Sequence, residues 1–204
     1  MTENLNLLAA GVLIDALVAS GVRRMSACPG SRSAPLVIAA DRNPAMRVEM
    51  HLDERSAAFY ALGNAKATGS PAAVLCTSGT AAANFFPALI EASLSAVPLV
   101  LLTADRPPEL RQSGSPQTID QVHLYGRHAL FFQDLPLPEA DLTLLRRIAA
   151  IAAHACAVAV GCPKGPVHLN VPFREPLAPV AMEEDGVRSL EEALGKSHAA
   201  GRFA

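Results

Sequence analysis

The chain has 204 residues, half of them hydrophobic, and a formal charge of −2 at pH 7, which suits one domain with a sizeable core. Its 17 basic residues are scattered rather than clustered, which excludes the basic stripe that nucleic acid or an anionic membrane surface requires. No apolar run reaches membrane-spanning length without interruption, and Met1-Thr2-Glu3-Asn4 lacks the positive region of a signal peptide. Cys28, Cys76, Cys156 and Cys162 show no CxxC pair and no metal spacing. Three of them sit in or beside apolar segments and are expected as reduced core thiols, so a cytoplasmic location is the default expectation.

Helix and strand patterns then alternate. Residues 5–20 carry a helical apolar face that ends at Gly21, a favourable C-cap. Residues 24–28 read as a short strand stopped by Pro29-Gly30, and 33–42 as a helix with Pro35 in its first turn. Residues 47–52 alternate like a strand. Residues 53–68 predict a strong helix capped by Asp53, with Ala57, Ala58, Leu62 and Ala65 forming a small-residue face that packs close to a sheet. Residues 72–76 read as an apolar strand, 80–95 as one helix, and 98–103 as a buried strand. Residues 105–118 make a long Pro/Gly/Ser-rich loop, of a length that is often functional. Residues 129–133 are strand-like, 140–160 helical, and 166–171 the last strand. Strands separated by helix-length crossovers predict a three-layer α/β/α fold with a mainly parallel sheet of about six strands. After residue 176 come prolines, the acidic run Glu183-Glu184-Asp185 and a weak amphipathic helix. We read 1–176 as the domain and 177–204 as a linker leaving it.

Four segments fall at the ends of predicted strands: Pro29-Gly30-Ser31-Arg32-Ser33, Asp53-Glu54-Arg55, Thr77-Ser78-Gly79-Thr80 and Ala104-Asp105-Arg106-Pro107-Pro108. In an open parallel sheet these junctions share the ligand-binding edge, so a carboxylate, several hydroxyls and two arginines should converge on one crevice. Each segment has a plainer reading. Glu54 gains from the helix dipole wherever it points, and Asp53 and Arg55 make it a member of a charge cluster. Thr77-Ser78-Gly79 offers hydroxyls and N–H groups to a ligand, or serves as a simple N-cap with a turn glycine. Arg32 is suited to clamping a carboxylate, or is a surface arginine beside a capping serine. Arg106 is held stiff before two prolines, which suits carboxylate binding, but a region of structural ion pairs around Asp105 and Arg106 accounts for it equally well. Gln117 lies in the long loop beside Pro116. His51, His123, His128, His154 and His168 have no shared spacing, and His168, inside a strand, reads as a satisfied buried or edge histidine rather than a ligand. No metal-ligand set and no G-x-S-x-G elbow is present.

Taken in order, Pro-Gly-Ser-Arg-Ser, Leu-Asp-Glu-Arg-Ser-Ala, Thr-Ser-Gly-Thr-Ala-Ala-Ala-Asn and Leu-Leu-Thr-Ala-Asp-Arg-Pro-Pro-Glu-Leu resemble the N-terminal pyrimidine-binding domain of thiamine diphosphate enzymes. The Ser31–Ser33 and Ala104–Leu110 segments resemble those of the synthases of menaquinone biosynthesis. The similarity runs from about Leu7 to Pro176. It implies that Glu54 is the catalytic glutamate that hydrogen-bonds the cofactor's pyrimidine nitrogen, and that Thr77, Ser78 and Gly79 line the pyrimidine pocket. It also implies that Ser31, Arg32, Arg106 and Gln117 surround the substrates, isochorismate and 2-oxoglutarate, both carboxylates. The implied cofactors are thiamine diphosphate and Mg2+ or Mn2+, in a homodimer or homotetramer. The family's Gly-Asp-Gly segment, which holds metal and diphosphate, is missing; the nearest string is Glu184-Asp185-Gly186. The resemblance therefore covers the first third of such an enzyme and half of each active site. Two other readings stay open: the pyrimidine-domain subunit of another thiamine diphosphate decarboxylase, and a non-catalytic dimerisation module.

Overall fold

The computed structural model describes residues 4–180 together with 189, 190, 192 and 193; the acidic run Glu183-Glu184-Asp185 and Gly186 lie outside the described residues. Six strands form one sheet: β1 (Arg24–Ala27), β2 (Arg47–Met50), β3 (Ala72–Cys76), β4 (Leu99–Asp105), β5 (Phe131–Asp134) and β6 (Pro166–Pro172). Their order is β2-β1-β3-β4-β6-β5 and every pairing is parallel. All six C-terminal ends therefore open on one edge, the arrangement the alternating pattern predicts. The crossover from β1 leads to β2 on one side, whereas β3 pairs on the other. The strand order thus reverses between β1 and β3, where ligands of open α/β sheets bind.

Helices cover both faces. The helices α1 (Leu5–Ala19), α2 (Ala34–Arg42) and α6 (Leu142–Val160) pack on one face, around Leu13, Leu17, Leu36, Ile148 and the inward residues of the strands. On the other face lie α3 (Glu54–Thr68), α4 (Thr80–Ala83) and α5 (Phe86–Leu94). In α3 the alanines 57, 58, 61 and 65 are all buried, so its backbone sits close to the sheet and its first turn reaches the strand ends. The helix α6 is long and apolar enough to cross a membrane by length and composition. Here it lays Leu145, Ile148, Ala152, Ala155 and Ala159 on the core instead.

One expected element is corrected. Residues 80–95 do not form a single helix; it breaks between Ala83 and Phe86. Pro87 has no N–H to give the carbonyl one turn back, so a continuous helix loses a bond and clashes there. The joint is closed by tighter bonds instead, Asn84 N–H to Ala81 O and Phe85 N–H to Ala82 O, both 3.2 Å. At the other boundary, the segment leaving β6 stays attached to the domain. Asn6 Nδ2 donates to the carbonyls of Arg174 and Pro176, Asn4 Nδ2 donates to Ala178 O, and Leu177 packs on the core.

Candidate active site

The β1 and β3 junctions touch. A Cβ on Gly30 would lie 2.3 Å from Thr77 Cβ, closer than any side chain tolerates, so only glycine lets the two loops meet at the switch point. Above them stands the start of α3. Asp53 does the capping: its Oδ1 accepts from Ser56 N at 2.8 Å and Ser56 Oγ at 2.7 Å, and these bonds hold its carboxyl below the usual range. The two acids therefore separate in role. Glu54, half-buried, is left without a side-chain hydrogen bond or ion pair among the described residues. Its charge reaches the thiols of Cys28 and Cys76. Cys28 is pushed up to about 12, by burial first and then by Glu54 and Asp53. Cys76 is raised by burial, then by Cys28 and Glu54. An unpaired carboxylate thus lies within electrostatic reach of two buried thiols at the strand ends.

The Thr77–Gly79 segment is not the open cradle its hydroxyls and N–H groups suggest. Thr77 and Ser78 are buried. The Ser78 hydroxyl donates to Gln117 O at 3.1 Å, and Gln117 Nε2 donates to Ser78 O at 3.2 Å. The Gly79 N–H donates to Gln121 Oε1 at 2.8 Å. A Cβ on Gly79, whose φ is +86°, would stand 2.9 Å from Gln117 O. The long loop after β4 is therefore seated on this segment, and Gln117 itself has φ +54°. Arg106 belongs to the same loop; its Nη2 donates to Pro116 O at 3.1 Å, next to Gln117. Gly30, Thr77, Ser78, Gly79, Gln117 and Arg106 are thus brought together.

Arg32 goes elsewhere. It is only 2 % exposed, its Nη1 donates to Phe173 O at 2.8 Å, and its Nη2 lies 3.4 Å from Glu175 Oε1. It is neither a surface arginine nor an open clamp: it ties the β1 junction to the chain leaving β6. Its neighbour Ser31 is exposed.

The alternative reading, a region of structural ion pairs around Asp105 and Arg106, holds for Asp105 but does not run through Arg106. Asp105, fully buried, is paired instead with Arg111 (Nη2 to Oδ2, 3.0 Å) and takes only the backbone N–H of Arg106. Burial outweighs these partners, and its carboxyl is raised. Arg111 also grips Asp134 with two bonds, at 2.7 and 3.0 Å, and these raise its own pKa. Between the two acids sits Asn170, whose Nδ2 donates to Asp105 Oδ2 at 2.8 Å and Asp134 Oδ1 at 2.9 Å. Its Oδ1 accepts from Thr103 Oγ1 at 2.8 Å and Gln121 Nε2 at 2.9 Å. All four hydrogen-bonding positions of that amide are filled. Register explains the grouping: Thr103, Asn170 and Asp134 are paired across three neighbouring strands.

His168 ends the network. The single Thr103 hydroxyl hydrogen goes to Asn170, so His168 Nε2, 2.7 Å from Thr103 Oγ1, carries the proton it donates there. Nδ1 is buried without a partner, and burial holds the imidazole pKa down at about 3. The ring is packed between Tyr125 and Phe132, so it is the core histidine its place in a strand suggests, but satisfied at Nε2 only. Sequence reasoning missed Arg111, Gln121, Asp134 and Asn170. The one signal was polar residues in otherwise apolar strands: Thr103 and Asp105 in β4, His168 and Asn170 in β6.

The site is thus the switch point of a parallel sheet, with an unpaired glutamate at the start of α3 and two glycine-dependent contacts beside it. Residues 8–124, more than half of the chain, match the family model "Thiamine pyrophosphate enzyme, N-terminal TPP binding domain", and the chain belongs to that family. It is similar to 2-succinyl-5-enolpyruvyl-6-hydroxy-3-cyclohexene-1-carboxylate synthases. With that of Chloroflexus aurantiacus it shares 59% identity over 167 residues, 82% of this chain and 28% of that protein. With that of Geobacillus kaustophilus it shares 55% over 186 residues, 90% and 32%. With that of Halobacterium salinarum it shares 51% over 189 residues, 93% and 32%. The chain spans about a third of the length of these relatives.

Proposed function

We propose that this chain is the pyrimidine-binding part of an enzyme that decarboxylates 2-oxoglutarate and joins the remaining four-carbon unit to isochorismate. The products are 2-succinyl-5-enolpyruvyl-6-hydroxy-3-cyclohexene-1-carboxylate and CO2, in menaquinone biosynthesis. The observation that carries the reading is Glu54, relieved of capping by Asp53 and left unpaired within electrostatic reach of the buried thiols of Cys28 and Cys76. A carboxylate so placed can hold and share a proton with a ring nitrogen. Thiamine diphosphate, when bound, supplies the electron sink for decarboxylation. The residues fit its pyrimidine end: Glu54 for the ring nitrogen, and Thr77, Ser78 and Gly79 for the ring's wall. Among the described residues no group of three His, Cys, Asp or Glu side chains comes together to hold a metal ion. The diphosphate and Mg2+ are assigned to the further length that the relatives possess.

Arg106 and Gln117, on the loop seated against Thr77–Gly79, and Ser31 and Arg32, on the facing junction, are assigned to the carboxylate substrates. For Arg32 this requires exchanging its Glu175 contact for a substrate carboxylate. The crevice is completed by a partner domain of a second subunit. Supporting this, Met50, Leu52 (93 % exposed), Phe59 and Tyr60 flank Glu54 as uncovered apolar side chains. The test is Glu54→Gln in the full-length protein. It is expected to lose most synthase turnover, by at least about a hundredfold, with an unchanged circular dichroism spectrum. Near-wild-type turnover would sink the assignment.

A further inference from the structure

The loop after β4 and the Thr77–Gly79 segment meet through backbone groups that neither strand pairing nor helix capping satisfies. The Gly79 N–H is the clearest case. Its helix, α4, is a single turn and contributes little holding power of its own. The acceptor for this N–H is a side chain from 42 residues further along. Gln121 is 1 % exposed, and three of its amide's four hydrogen-bonding positions are filled: Oε1 takes Gly79 N–H at 2.8 Å, while Nε2 gives to Ala104 O at 3.2 Å and Asn170 Oδ1 at 2.9 Å. Asn170 is in turn anchored to Asp105 and Asp134, which Arg111 clamps. The amide is therefore gripped from the sheet side and presents a fixed acceptor to the glycine.

From this geometry we infer that Gln121 is a positioning residue: it sets where Thr77–Gly79 stands relative to the loop that carries Arg106 and Gln117. Gln121 touches neither cofactor nor substrate in this assignment; it acts through Gly79. Without its acceptor, the buried N–H has no partner, and the segment turns to find one. That movement carries Ser78 and Gln117 with it, because the two are bonded to each other in both directions. The inference rests on the reading that Thr77–Gly79 borders the cofactor's pyrimidine.

Tyr125 provides the structural comparison. It lies in the same connection, is equally buried, and its hydroxyl donates to Ala82 O in α4 at 2.7 Å, yet it leaves Gly79 alone. In the full-length protein, the dissociation constant for thiamine diphosphate with Mg2+ is measured by calorimetry for wild type, Gln121→Met and Tyr125→Phe. Gln121→Met is expected to weaken binding by about tenfold or more, whereas Tyr125→Phe, which removes one buried hydrogen bond from the same loop, stays within about twofold. Equal losses in both variants, or none in Gln121→Met, overturn the positioning role. A wild-type protein that binds no thiamine diphosphate overturns both this inference and the reading it rests on.

If Gln121→Met does not fold, Gln121→Glu carries the test. It keeps an acceptor for Gly79 but, when ionised, has no donor for Asn170 or Ala104 O; through Asn170 it is joined to Asp105 of β4 and Asp134 of β5, which Arg111 of the loop pairs, and through Asn170 and Thr103 to His168 of β6. Its affinity relative to wild type at the same pH is expected to recover as the pH falls and the new carboxyl regains a hydrogen to donate. A ratio that does not change with pH overturns the inference.

Discussion

His168 offers a stability measurement whose size follows from one buried ring. The imidazole titrates near 6.5 in an unfolded chain and near 3 here. Between those values the unfolded chain binds one proton more than the native one. Stability is therefore fully retained above the unfolded pKa and falls as the pH drops below it, by about 1.4 kcal/mol per pH unit. Between a pH of about 7.5 and about 5 the expected loss from this residue alone is about 2 kcal/mol, a large part of the roughly 5–15 kcal/mol that holds a domain together. Other groups titrate in the same window, so the quantity to read is a difference. His168→Gln removes the titration while an amide N–H still faces Thr103 Oγ1. Urea unfolding of wild type and His168→Gln, followed by far-ultraviolet circular dichroism at a series of pH values, gives that difference. Wild type should lose about 2 kcal/mol more than the variant over the interval. Parallel curves would show that the native imidazole takes up its proton as readily as the unfolded one, and the assigned tautomer and its buried, unpartnered Nδ1 would be wrong.

Two further outcomes follow from packing. Gly30→Ala places a Cβ 2.3 Å from Thr77 Cβ and is expected to cost about 1–3 kcal/mol in urea unfolding; adding Thr77→Gly, which removes the contacted atoms, should return part of it. Gly11→Ala, in α1 with nothing within 4 Å of the new carbon, should instead stabilise by about 1 kcal/mol. Of the four thiols, Cys28, Cys76 and Cys156 are buried and Cys162 is exposed. Burial pushes Cys28 up to about 12 and Cys156 up to about 11. A thiol–disulfide exchange reagent added to the native chain at neutral pH should therefore release close to one equivalent of product, and four only after denaturation. Fast release of a second equivalent that persists in Cys156→Ser would show that Cys28 or Cys76, near Glu54, is open to the reagent.

The sequence by itself determined most of the elements, their parallel arrangement and the edge on which the candidate site is expected. Strand-length apolar runs separated by helical patterns admit few topologies, because parallel neighbours need crossovers. Even the separation of Asp53 from Glu54 is local: the capping residue must precede the first turn, and the next side chain is then free to point elsewhere. The break at Pro87 was legible in the same local way, from its missing N–H, although the apolar pattern runs straight through it. What only the tertiary structure decided is which polar groups meet. Arg111 rather than Arg106 neutralises Asp105, Arg32 turns to Phe173 and Glu175, and Gln121 reaches Gly79. These choices depend on register between strands distant in sequence and on how one long loop folds back over them. Periodicity carries no information about either, since a buried polar group is satisfied by whichever partner the packed chain brings within about 3 Å of it.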